Sequence, residues 1–151
     1  SRGPGSSCVI GVHGEFMDHY RKLEKLYSAA PINEWFAPAL KVQKGEAEVR
    51  IPLRPDFHHA GAAVHGTLYF KAMDDAAFFA ANSIVEDVFV LTAKFELEFL
   101  RPVVAGEMCA KGCVTGQDER RIYSSVDLFD GESQLIGRGK GEFARSRIPL
   151  S

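Results

Sequence analysis

Between Gly66 and Asn82 the chain reads GTLYFKAMDDAAFFAAN, a run whose apolar residues fall on nearly every side of a helix. Leu68, Tyr69, Phe70, Ala72, Met73 and Ala76–Ala81 leave no continuous polar face. Such a helix must be surrounded rather than laid on a surface. Everything after it reads as strand. Val88–Arg101 alternates, setting Leu91, Ala93, Phe95, Leu97 and Phe99 against Lys94, Glu96 and Glu98. Glu107–Thr115 and Arg121–Phe129 flank the turn Gly116–Arg120, and Asp130-Gly131 is a strong hairpin signal. In the last strand, Gln134–Arg145, Gly137, Gly139 and Gly141 share one face and admit a closely approaching neighbour. One buried helix followed by four long antiparallel strands is α+β architecture. The economical cover for that helix is a sheet curled around it.

Upstream, Asp18–Ala29 carries Tyr20, Leu23, Leu26 and Tyr27 on one stripe and reads as an amphipathic helix. Pro31 and the segment Asn33–Pro38 end it. Ala39–Leu53 is strand material folded at Lys44-Gly45, with Ala47, Val49 and Ile51 opposed to Glu46, Glu48 and Arg50. Arg54–Val64 is a loop carrying His58 and His59, and Asn82 is the expected left-handed stop of the central helix. Residues 1–16 are Gly/Ser-rich and aperiodic, as in a loose tail or a segment added for expression. Residues 17–151 are expected to form a single domain.

A net charge of −2 without a dense Lys/Arg run argues against nucleic acid as a partner. Lys71, Asp74 and Asp75 interrupt the best apolar stretch before it reaches the ~18 residues a bilayer needs, and no signal-peptide pattern stands at the start. The cysteine count is odd, and Cys109 and Cys113 sit on one strand, roughly 13 Å apart. Thiols in a cytoplasmic protein are therefore expected. His58, His59 and His65 lack a supporting carboxylate pair or cysteine, so no metal is expected.

Asp74 is the residue the core does not explain. A carboxylate within so greasy a helix is costly to bury. Gly66, at the helix mouth, presents a bare N–H at the positive end of the macrodipole. Together they make an oxyanion site and an acid/base or nucleophile; the alternative is a buried polar group capped at a subunit seam. Asp75, four residues after Lys71, reads as half of an ordinary ion pair. His65 reads foremost as the group that fixes the helix start.

These residues resemble a known family. The order loop, His65-Gly66, helix, Asp74 nine residues after the histidine, then a strand ending Leu100-Arg101-Pro102 and a turn at Gly106, is similar to the hotdog-fold acyl-CoA thioesterases. Within them it is closest to the phenylacetate-degradation (PaaI-like) group. The resemblance covers about residues 39–144. It implies a long central helix wrapped by a curved antiparallel sheet of five or six strands, and assembly as a homodimer or tetramer. It implies that Asp74 is the catalytic carboxylate, Gly66 the oxyanion-hole glycine, His65 the motif histidine, and Thr92 the hydroxyl that positions water. Two positions depart from the pattern: the family's asparagine is here His59, and the second glycine of its HGG is Thr67. Arg101, Arg138 and Lys140 are candidates for the phosphates of coenzyme A, which enters as part of the substrate; no separate cofactor is implied.

Geometry adds a deduction of its own. Gly66 and Asp74 lie eight residues apart on one helix, about 12 Å along its axis. A carbonyl attacked at ~3–3.5 Å cannot readily be reached by both. Two antiparallel copies of the helix can serve one carbonyl together, so the expected site is shared across a symmetric dimer. The leading expectation is acyl-CoA or aryl-CoA hydrolysis, with Asp74 as general base or nucleophile. The alternatives are a hydratase or dehydratase on acyl thioesters, and a catalytically weak acyl-CoA-binding module.

Overall fold

In the computed structural model the described residues are 17–151, so the expectation for residues 1–16 lies outside them. Two helices lead the chain, α1 (Met17–Ala29) and the one-turn α2 (Asn33–Phe36). The hairpin β1 (Ala39–Gln43) and β2 (Glu46–Pro52) follows, then a 3-10 turn at Pro55–Phe57 and the central helix α3 (Gly66–Asn82). Four strands complete it: β3 (Val88–Phe99), β4 (Glu107–Gln117), β5 (Arg121–Asp130) and β6 (Leu135–Pro149). They form one six-stranded sheet, ordered β1-β2-β4-β5-β6-β3, with every pairing antiparallel. This sheet with a single long helix packed against it is the hotdog fold. No described helix is long and apolar enough to cross a membrane.

Small residues bring the helix down onto the sheet. Ala72, Ala76, Ala77 and Ala80 are wholly buried, and β4 answers them with Gly112. A Cβ at Gly112 would stand 2.8 Å from the carbonyl carbon and oxygen of Ala76. The backbones of helix and strand therefore touch where a side chain would have held them apart. The alternation read in β2 is the burial pattern observed there, with Val49 and Ile51 in the core, and β5 alternates likewise, burying Ile122, Val126 and Leu128.

Four expectations need correction. The Asn33–Pro38 segment is not merely a breaker, because it forms α2 and leaves through Ala37 at φ 50. Asn82 does not stop α3 in a left-handed turn, since the following Ser83 is still right-handed at φ −62. Its buried amide donates instead to the carbonyls of Val85 and Val88 (both 3.1 Å) and accepts from the Val90 N–H (2.9 Å), tying the helix end to the start of β3. Nor is α3 covered on all sides. The sheet and α1 enclose most of it, yet Phe70 stays 42% exposed on the flank towards β3. Finally, Cys109 is a free buried thiol but Cys113 is disulfide-bonded, so the expectation of thiols throughout fails at that position.

Strand β3 ends the sheet. Its outer edge is twelve residues long and unpaired among the described residues, a row of backbone donors and acceptors open to another strand.

Candidate active site

His65 has extended backbone (φ −63, ψ 144), and its Nδ1 accepts from the Thr67 N–H at 3.0 Å, so it is the N-cap of α3. The Thr67 hydroxyl lies 3.0 Å from the same nitrogen. The loop behind is tightly sewn. The His65 N–H donates to the Phe57 carbonyl (2.8 Å), Val64 pairs with His58 and donates to Val103, and His58 Nε2 lies 2.8 Å from the Val104 carbonyl. Among the described residues the Gly66 N–H has no acceptor. Above it sits Phe99, whose ring edge would be 3.1 Å from a Cβ at position 66. That ring also meets Tyr69 edge-on at 5.2 Å, and the Tyr69 hydroxyl donates to the Arg101 carbonyl at 2.6 Å. The end of β3 is thereby fastened over the helix mouth.

Two turns further along α3, Asp74 faces β3, where the Thr92 hydroxyl donates to its Oδ1 at 2.8 Å. Simple alternation would turn Thr92 away from the Phe95 face. A bulge reverses this. Thr92 pairs with Phe143 and Phe95 with Gly141, so three steps on β3 answer two on β6. Thr92, Phe95 and Phe143 thus share the face that looks at the helix. Gly139 and Gly141 make room there, since a Cβ on either would press within 3.0 Å of the Phe95 ring.

The Asp74 carboxyl is pushed up to about 6. Burial is the chief cause, because the charged form loses water. The neighbouring Asp75 charge adds to the rise, while the Thr92 hydrogen bond and the Lys71 charge oppose it. The result is a half-buried carboxylate, ionised near neutrality and more basic than one in water. Asp75 itself is bound to Lys71 at 2.7 Å, the ion pair read from their spacing.

The remaining candidates scatter. His59 is exposed and its Nδ1 accepts from the Gly61 N–H at 2.9 Å; its ring centre lies 6.4 Å from that of His65. Arg138 and Lys140 project from the face of the sheet opposite α3. Lys140 lines a shallow cleft of about 310 Å³ there with Lys94, Glu96, Tyr123, Ser125 and Glu142. Within one chain, then, the structure joins Asp74 to Thr92 and His65 to Gly66 and Thr67. It leaves His59, Arg138 and Lys140 apart from Asp74. Phe99 was missed as a site wall, although an aromatic next to Leu-Arg-Pro at a strand end was a usable signal.

A family model described as the thioesterase superfamily matches residues 61–136, from the helix mouth through β5 to the start of β6. The PaaI protein of the E. coli phenylacetic acid degradation operon superposes with a TM-score of 0.79 at 17% identity, covering 87% of this chain and 95% of that one. A thioesterase family protein from Silicibacter pomeroyi gives 0.76 at 16% identity, over 84% and 97% of the two chains. A thioesterase from Haemophilus influenzae gives 0.74 at 15%, over 87% and 91%. At such identities these likenesses speak for the fold alone; the family match spans half the sequence and includes both Gly66 and Asp74. The chain therefore belongs to the thioesterase superfamily.

Proposed function

We propose that the protein hydrolyses an acyl-CoA or aryl-CoA thioester to the free acid and coenzyme A. The observation that carries this reading is Asp74: a carboxylate lifted by burial, held at one oxygen by Thr92, and flanked by the open edge of β3. With Oδ1 engaged, Oδ2 is left to take a proton from water as the water oxygen attacks the acyl carbon. Collapse of the tetrahedral intermediate expels the CoA thiolate, and the proton passes from Asp74 to sulfur. Direct attack by Oδ2, giving an anhydride that water then opens, uses the same residue as nucleophile.

The oxyanion needs a donor, and the unpaired Gly66 N–H at the positive end of α3 is suited to it. On one helix the two groups are about 12 Å apart. The donor to each carbonyl therefore comes from a second copy, docked along β3 with the helices antiparallel. Support for that docking comes from the unpaired edge and from the exposed Phe70, Phe99 and Leu100 beside it. Thr67 and His65 then shape the thioester pocket, with His59 at its rim. Arg101, Arg138 and Lys140 offer cations to the phosphates of coenzyme A.

A thiol-release assay over short-chain, long-chain and aryl CoA esters tests the reading, with Asp74→Asn as control. Release by the wild type that falls more than a hundredfold in the variant supports it. Release within tenfold of wild type in Asp74→Asn removes Asp74 from the chemistry.

A further inference from the structure

Next to Asp74, on the side of α3 that faces the N-terminal helices, lies a closed polar network that the reaction does not use. Lys71 Nζ is 2.7 Å from Asp75 Oδ2, and the Tyr27 hydroxyl of α1 donates to that same oxygen at 2.6 Å. Lys71 also donates to Asn33 Oδ1 of α2 at 2.6 Å, and Asn33 Nδ2 donates to the Tyr27 carbonyl at 2.7 Å. The ammonium rests over the rings of Tyr27 and Phe36, 5.3 and 5.2 Å from their centres. Burial and the Asp75 charge hold the Tyr27 phenol far above its usual range, so it remains a donor at every working pH.

An i,i+4 pair on an open helix face contributes little. This one is sheltered, its side chains only 12% and 18% exposed, and held from three helices. Such a pair is fixed in place, and its two charges act on the adjacent Asp74 in opposite senses through a poorly screened medium.

We propose that the Lys71–Asp75 pair, clamped by Tyr27 and Asn33, trims the pH at which Asp74 ionises around the level that burial and Thr92 establish, making both members positioning residues for the acting carboxylate. The proposal takes its functional meaning from the reading of Asp74 given above. The other groups facing Asp74 are the Thr92 hydroxyl from β3 and the Tyr27 phenol from α1. Lys94, Glu96 and Glu98 of β3, and Arg138, Lys140 and Glu142 of β6, lie on the opposite face of the sheet.

A pair that only stabilised the fold would leave the Asp74 midpoint alone when broken from either side. An electrostatic adjustment moves it in opposite directions. Asp75→Asn removes a repelling charge and leaves Lys71 uncompensated, so the midpoint falls. Lys71→Met removes an attracting charge and leaves Asp75 uncompensated, so it rises. Lys71→Arg keeps the charge and restores the original value. The measurement is an NMR titration of the Asp74 carboxyl carbon in aspartate-labelled protein, assigned with Asp74→Asn.

Shifts of about half to one pH unit, down in the first variant and up in the second, are expected. Midpoints that stay put, or that move the same way, overturn the proposal. The readout is protonation rather than turnover, which separates two failures. Full hydrolysis by Asp74→Asn sinks the catalytic reading alone, whereas fixed midpoints beside an inactive Asp74→Asn sink the adjustment alone.

Discussion

Thr92 meets Asp74 at 2.8 Å because β3 slips one residue out of register between Thr92 and Lys94. Without that bulge the hydroxyl would lie on the far side of the sheet, and a half-buried carboxylate would lose its one side-chain donor. Bulges that re-aim a side chain are a recurrent device beside active sites.

This relationship fixes the expected pH behaviour. Asp74 must be ionised to accept a proton, so kcat/KM for thioester hydrolysis should rise with pH and reach half its plateau near the Asp74 midpoint of about 6. Thr92→Val deletes a hydrogen bond to the charged form, so the limb should move to higher pH. The pH dependence of kcat/KM in the two proteins checks both points, and a limb that stays put or moves downward in Thr92→Val contradicts them.

The same raised midpoint has a stability consequence of definite sign. Well below the ordinary value of 3.8, Asp74 is protonated whether folded or unfolded, and it contributes nothing to the pH dependence. Between the ordinary value of 3.8 and about 6 the unfolded chain ionises first, so ionisation progressively destabilises the fold. Asp74→Asn should therefore be more stable than wild type at pH 7, by about 1–2 kcal/mol, and match it near pH 3.5. Urea denaturation at the two pH values measures the difference; a variant less stable at pH 7 contradicts the burial account.

Gly112 is where helix and sheet backbones touch, and Ala76 has no side-chain end that could yield. Gly112→Ala should lower stability by about 1–3 kcal/mol through overpacking. Gly116→Ala, on the same strand with open space where its Cβ would go, should change far less. Equal effects in chemical denaturation would mean that the close approach is not a constraint.

How much of this was readable from residues alone follows from which interactions are local. The span of α3 was legible because its apolar run is long and His65 marks its start. The Lys71–Asp75 pair followed from helical spacing. The orientation of Thr92 was not legible, because a bulge depends on how β6 pairs with β3 and leaves no mark in the alternation of either strand. The same holds for Phe99 over Gly66, a contact between residues thirty-three positions apart. Asn82 misled for a related reason: its amide is spent on β3 backbone, and nothing in the segment's own sequence names that partner.

The claim beneath the mechanism is that each site takes its carboxylate from one chain and its oxyanion donor from another. Position 66 suits the test. It begins the helix, its N–H is unpaired, and His65 before it is already extended, so proline is tolerated by the backbone. Gly66→Ala displaces the Phe99 ring similarly but keeps the N–H, and so isolates the donor. Gly66→Pro should lose roughly 10²–10³ in turnover relative to Gly66→Ala. The decisive measurement is thiol release by dimers mixed from Asp74→Asn and Gly66→Pro chains, each inactive alone. Recovery approaching half of wild-type activity per heterodimer is predicted, since one of its two sites has both groups intact; no recovery from verified heterodimers would contradict the shared site.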